Sequence, residues 1–215
     1  NLIDITIPDS VTKIGNIAFG CCMGLTGVML PEGITEIGDF AFYGCENLSS
    51  ITLPDSVTKI GMNPLSECNH LTDICISPDS PAFAIADDVL FFKRDEKLVC
   101  HLPAFEKASY EIPMGVRIVG DGAFMGASSL ISITIPDSVT EIGRDAFAGC
   151  VNLTSVAIPG SVTKIGYWAF LRCESLTSVK ISDGLIEIDA EAFIGCERLT
   201  SITIPDSVTK IGDYA

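Results

Sequence analysis

The chain has 215 residues, 47% of them apolar, which is enough for a continuous core, and no apolar run nears the roughly 18 residues of a membrane-spanning helix. Twenty-eight acidic against 13 basic residues leave a formal charge of −15. Such a chain repels phosphate backbones and anionic lipid, which sets aside nucleic acid as a partner and membrane insertion as a mode of attachment.

A leucine opens almost every unit of the chain. Leu2, Leu25, Leu48 and Leu71 stand 23 residues apart, and the same step resumes at Lys107 and runs through Leu130, Leu153, Leu176 and Leu199. From Leu71 to Lys107 the step is 36, or 23 plus 13. Eight whole repeats result, one with an insertion at about 77–106, and a partial ninth stops at Ala215. The register spans residues 1–215 as a single solenoid. Opening on Asn1, with neither Met nor a leader, the chain reads as a piece of a longer protein.

Within a unit the first element is a strand. Ile5 and Ile7, Val28 and Leu30, Ile51 and Leu53, and Ile133 and Ile135 are each two apart and mostly β-branched, with Ser and Thr between or before them. A proline (Pro8, Pro31, Pro54, Pro113, Pro136, Pro159, Pro205) ends the strand, since it has no N–H for a ladder. Asp9-Ser10, Asp55-Ser56 and Asp206-Ser207 then make a turn, and a second short strand buries Val11 with Ile14, Val57 with Ile60, or Val208 with Ile211. A glycine follows (Gly15, Gly38, Gly61, Gly120, Gly143, Gly166, Gly212), where a bend with positive φ is expected. The unit closes on A-F-x-G-C, in which Phe42 and Cys45, or Phe147 and Cys150, share one side of a turn of 3₁₀ type. The expected fold is therefore a leucine-rich-repeat-like solenoid of short parallel β-strands and helical turns with a 23-residue period.

The insertion contains VLFFKRDEKLVCHLP (89–103), an apolar run, a charged turn and a second apolar run, which reads as a β-hairpin. It gathers Phe91, Phe92 and Phe105 with Lys93, Arg94, Lys97 and Lys107 on an otherwise acidic chain. Two readings stand side by side: a recognition patch, or aromatics that pack the hairpin down. Farther along, Tyr167-Trp168 is the other strong aromatic pair. The outward strand positions, such as Thr26, Met29, Ser49, Thr52, Ser132, Thr154 and Thr177, form a flat Ser/Thr face with few of the aromatic and Arg anchors that dominate binding.

Units such as LTSITIPDSVTKIGDYA from Leu199, with their L-x-x-I-x-I-P strand, resemble the BspA-like leucine-rich-repeat family over nearly the whole chain. Ser182 and Asp189, in place of proline and glycine, and Met62-Asn63-Pro64-Leu65 depart from the pattern. The resemblance implies a surface or secreted bacterial protein that binds host matrix or neighbouring-cell proteins. It supplies no catalytic motif.

No residue set points to a cofactor. Cys22, Cys45, Cys68, Cys150, Cys173 and Cys196 share one column with Ala127, which fits small core side chains spread along a line better than converging metal ligands. Cys75 alternates outward as an exposed thiol. Asp9, Glu32 and Asp55 stack in another column, a turn feature or a place for calcium to bridge. Lys13, Glu36 and Lys59, and later Glu141, Lys164, Glu187 and Lys210, alternate in sign as cross-strand pairs. The expected function is non-catalytic protein binding or adhesion, with a rigid spacer as the alternative. Ends that fall inside repeats lead us to expect end-to-end association of this piece made alone.

Overall fold

The computed structural model describes residues 2–102 and 105–215. Pro103 of the expected hairpin run lies outside the described residues, as does Asn1. The chain falls into two compact units, Asn1–Arg94 with Val99–Phe105, and Asp95–Leu98 with Glu106–Ala215. Each is a β-solenoid of leucine-rich-repeat type with almost no helix.

In the first unit, β2 (Gly27–Met29), β4 (Ser50–Thr52) and β6 (Asp73–Cys75) form one parallel sheet, with Val28 opposite Ile51 and Ile51 opposite Ile74. A second parallel sheet joins β1 (Lys13–Ile14), β3 (Glu36–Ile37) and β5 (Lys59–Ile60). The second unit repeats this arrangement. Its first sheet holds β10 (Ser109–Glu111), β12 (Ser132–Thr134), β14 (Ser155–Ile158) and β16 (Ser178–Ile181). Its second holds β11 (Ile118–Val119), β13 (Glu141–Ile142), β15 (Lys164–Ile165), β17 (Glu187–Ile188) and β18 (Lys210–Ile211). All of these partners are 23 residues apart, so identical side chains stack at the roughly 4.8 Å strand spacing.

The stacking is clearest for the phenylalanines. Phe19 lies on Phe42 at 5.2 Å between ring centroids, and Phe124, Phe147, Phe170 and Phe193 form a continuous pile at 5.1–5.5 Å. Leu25, Leu48, Ile34, Val57, Ala41 and Cys45 in one unit, and Leu130, Leu153, Val139, Val162, Ala146 and Cys150 in the other, complete cores that exclude water almost wholly.

The A-F-x-G-C turns depart from a 3₁₀ helix in an instructive way. The bonds that close them do run back three residues, Cys45 N–H to the Phe42 carbonyl and Tyr43 N–H to that of Phe40. Alternate N–H groups, however, donate to the next repeat: Phe40 to Met62, Phe42 to Pro64, Gly44 to Ser66. Two residues per turn, Phe40 and Gly44 here, take positive φ, which aims those donors sideways and stops a helix from propagating.

That finding corrects the role expected of the glycine after the second strand. Gly15, Gly38, Gly61, Gly143, Gly166 and Gly212 are not among the positive-φ residues. What they provide is close approach. A Cβ on Gly61 would lie 2.5 Å from the Asp39 backbone nitrogen and 2.6 Å from the Gly38 carbonyl carbon, whereas one on Gly15 would meet nothing within 4 Å. The left-handed residues of the closing turn are the glycines of A-F-x-G-C and, unexpectedly, bulky residues such as Phe40 and Trp168.

The insertion holds more β-structure than one hairpin. β7 (Phe83–Ala86) pairs antiparallel with β8 (Val89–Phe92) across Asp87-Asp88, both with positive φ as a two-residue hairpin turn requires. The charged Lys93–Asp95 segment is a short 3₁₀ turn, and β8 lies beside β9 (Lys97–His101). Leu102 N–H closes this corner on the Asp88 carbonyl.

The departures from the repeat pattern are absorbed locally. Ser182, unlike proline, has an N–H, and donates it to the Ile158 carbonyl at 3.0 Å. Asp189 pairs one carboxylate oxygen with Lys164 and turns the other to the Ala190 N–H. Leu65 takes the place of the phenylalanine in its turn and stays buried.

Replacing Gly61 by Ala should lower the urea midpoint by the equivalent of roughly 2–3 kcal/mol, because backbone atoms must move apart. The same change at Gly15 should alter it by less than about 0.5 kcal/mol. Equal effects at the two positions would contradict the close-approach account.

Candidate protein-binding surface

The Ser/Thr face turns its hydroxyls inward to the backbone. Ser49 donates to the Thr26 carbonyl at 2.8 Å, Thr154 to Ile131 and Thr177 to Thr154. The second strands do the same, Thr35 to Thr12, Thr58 to Thr35, Thr140 to Arg117, Thr163 to Thr140 and Thr209 to Ile186. These columns stitch repeats together. Ile3 and Met29 in the first unit and Ile131 in the second are exposed large side chains at outward first-strand positions.

Candidates in the insertion are placed in different ways. Phe92 is 1% exposed, tilted against Phe83 at 5.5 Å between ring centroids, and so is core rather than surface; Phe105 is buried as well. Lys93 turns its ammonium to the Ser80 carbonyl at 2.6 Å. The stem of Lys97 crosses Gly120. Phe91 is half-buried and Arg94 exposed. Of the combined aromatic and basic patch suggested by the sequence, Phe92 and Phe105 are thus core, while Phe91 and Lys97 are half-buried and Lys93 and Arg94 exposed.

Tyr167 and Trp168 are brought together. Their rings are 4.3 Å apart between centroids, and both are partly exposed. Glu191, one repeat on, accepts the Tyr167 hydroxyl at 3.1 Å and the Trp168 indole N–H at 2.9 Å. Arg144, one repeat back, lays its guanidinium over both rings at 5.4 and 5.5 Å and donates from Nε to Asp145 at 3.1 Å. Asp145 is 7% exposed, and burial pushes its carboxyl above the usual range against the pull of Arg144. The Tyr167 hydroxyl is likewise raised, by burial and by the Glu191 carboxylate. Sequence reading found the two aromatics but not Arg144, Asp145 or Glu191. The signal was the register itself, since 168 plus 23 is 191.

The other columns are structural. The cysteines of the shared column donate S–H to the phenylalanine carbonyl of the preceding repeat: Cys45 to Phe19, Cys68 to Phe42, Cys150 to Phe124, Cys173 to Phe147 and Cys196 to Phe170, all at 3.1–3.2 Å. Burial pushes the Cys45 thiol up to about 11 and those of Cys68, Cys100 and Cys150 to about 12. Cys75 is exposed, as its strand alternation implies, and so is Cys21. Asn47 and Asn152 donate their amides to the Met23 and Ser128 carbonyls, and His70 bonds the Glu46 carbonyl. Among the described residues, no three His, Cys, Asp or Glu are placed to hold a metal ion. The alternating charges meet in part: Glu36 bridges Lys13 at 2.8 Å and Lys59 at 2.6 Å, and Glu187 pairs with Lys210, whereas Lys164 turns to Asp189 at 3.5 Å. The two ammonium groups hold the Glu36 carboxyl down at about 2.

A parallel solenoid with a 23-residue unit, stacked Phe and Leu columns and no converging catalytic set among its described residues defines a leucine-rich-repeat protein. The model of the BspA type leucine-rich-repeat region matches residues 1–88 and 104–215 in six copies, and the chain belongs to that family. No curated protein of known function matches it significantly. Among solved structures, it is similar to a leucine-rich cell surface protein of Faecalibacterium prausnitzii, with 29% identity and a TM-score of 0.65, covering 97% of this chain and 59% of that one. The chain thus spans about three-fifths of that protein's length. It shares its fold with a leucine-rich repeat protein of Eubacterium ventriosum, at 21% identity and a TM-score of 0.58 over 94% of this chain and 78% of that one. The same holds for the pneumococcal vaccine antigen PcpA, at 20% and 0.57 over 94% and 66%. This is the repeat fold of bacterial surface proteins, a fold that generally serves protein interaction. No helix among the described residues is long and apolar enough to cross a membrane.

Two outcomes follow from the titrating groups. In native protein at pH 8, a thiol reagent should label Cys21 and Cys75 within minutes and leave Cys45, Cys68, Cys100, Cys150 and Cys173 unlabelled until denaturation; labelling of all nine at once would contradict the buried ladder. Because the Glu36 carboxyl is depressed on folding, its share of stability is present above about 4.5 and is lost as pH falls towards 2. Glu36→Lys should therefore lower the melting temperature modestly at pH 7, and less so in 1 M NaCl; a large, salt-independent loss would overturn this reading.

Proposed function

We propose that the chain is a protein-binding module of a bacterial cell-surface or secreted protein, serving adhesion to host matrix or neighbouring-cell proteins. The observation that carries this reading is the Tyr167–Trp168 pair, fixed by Glu191 and covered by Arg144. Trp, Tyr and Arg are the residues that dominate protein-binding energetics, above all when pre-organised. Beside Ser and Thr columns whose hydroxyls bond neighbouring carbonyls, this is the place where a partner gains most. The family and the cell-surface protein of F. prausnitzii support the location.

The competing reading is a rigid spacer that presents other domains. It is favoured by the strand face, where hydroxyls are spent on neighbouring carbonyls. Binding of the chain to a panel of immobilised matrix proteins separates the two. Trp168→Ala should weaken the binding observed at least tenfold, while Arg94→Ala should change it less than threefold. No binding by the native chain favours the spacer, and binding indifferent to Trp168 moves the site elsewhere.

A further inference from the structure

We infer that the Tyr167–Trp168 site takes an arginine or lysine side chain of its protein partner, with Glu191 as the counter-charge; this rests on the binding role proposed above. Three observations lead there.

Trp168 is kept at a position that favours glycine. In the second unit, Gly122, Asp145, Trp168, Glu191 and Tyr214 occupy one column, all with φ between 53° and 66°. Gly122 shows that the column accepts the residue suited to it. The left-handed φ belongs to the turn itself, since Ile17, Phe40 and Asn63 share it in the first unit, so what singles out this place is the run of side chains Asp145, Trp168 and Glu191 that the turn aligns. Backbone bonds set the column in a row, Asp145 N–H to the Tyr167 carbonyl, Trp168 N–H to Ala190 and Glu191 N–H to Asp213.

Charge is unevenly matched along that row. Asp145 is paired with Arg144. Glu191 receives only the two neutral ring donors, one on each oxygen, and among the described residues it has no cation within 4 Å. A carboxylate oxygen accepts more than one bond, so Glu191 retains acceptor capacity beside the two rings.

The chain already contains the interaction that the partner would make. Arg144 lies over the same two rings and pairs with the carboxylate of the neighbouring position. A guanidinium from a partner at Glu191 would reproduce this combination of cation–π contact and charge-assisted hydrogen bond one repeat on. The formal charge of −15 favours approach of a cationic segment over an acidic one.

Trp168 is the sole tryptophan, so its emission reports on this site alone. The 215-residue chain is titrated with three tryptophan-free peptides of equal length, built on alternating Gly with Arg, Glu or Ser. The arginine peptide should shift the emission saturably, and the other two should not. Glu191→Gln, which keeps an acceptor for the ring donors, should weaken the arginine peptide about tenfold, while Glu111→Gln on a distant strand should leave it unchanged. A shift with the glutamate peptide instead would overturn the cation assignment and leave protein binding at this site standing. Equal losses in the two variants, or no shift with any peptide, would overturn the inference. In the last case the Trp168→Ala panel measurement decides separately whether the aromatic pair binds proteins at all.

Discussion

Each repeat of this protein completes its hydrogen bonding in the next. A strand of two or three residues, such as Lys59–Ile60 or Ser50–Thr52, has no stability of its own. It persists because the N–H groups of one unit find carbonyls 22 to 24 residues away, in the strands and also in the turns between them. Phe42 donates to Pro64 and Phe147 to Ala169 in segments that are neither helix nor sheet. Buried backbone groups without partners would be costly, so the register of 23 is enforced everywhere at once.

Most side-chain choices follow from that constraint. Glycine after the second strand suits stacked backbones, which at Gly38, Gly61, Gly143, Gly166 and Gly212 approach to within 3 Å of where a Cβ would stand, with Asp189 the exception. Cysteine in the closing turn is small enough for the core and supplies a weak second donor to a phenylalanine carbonyl that already accepts the turn-closing N–H. Thr, Ser, Asn and Asp at the unit edges serve the neighbouring backbone rather than solvent. The variable positions of the closing turn escape this constraint. Trp168, with Arg144 and Glu191 on either side, is such a position.

The strands and the core were legible because period-two apolar positions and prolines recur at fixed columns, and every pairing of Ile51, Ile133 or Ile165 follows from adding 23. The left-handed turns were not legible, since Phe40 and Trp168 carry no sign of positive φ and the obvious glycines had another task. β7 was missed for a related reason. Phe83-Ala84-Ile85-Ala86 is short, and Asp87-Asp88 lacks the glycine that usually marks a two-residue turn. Among the site residues, Tyr167 and Trp168 stood out by type, whereas Glu191 and Arg144 become visible only when the register is used to ask what lies beside them. The insertion misled because aromatic content alone does not distinguish Phe92, in the core, from Phe91 at its edge.

The central claim is that the turns are bonded between repeats as firmly as the strands. Amide hydrogen exchange in the second unit tests it directly. The N–H groups of Phe147 and Gly149, which donate to Ala169 and Leu171 from within a turn, should exchange as slowly as those of Val156 and Val179 in β14 and β16. Exchange of the turn amides orders of magnitude faster than the strand amides would contradict it, and would make the solenoid a pair of sheets joined by loose loops.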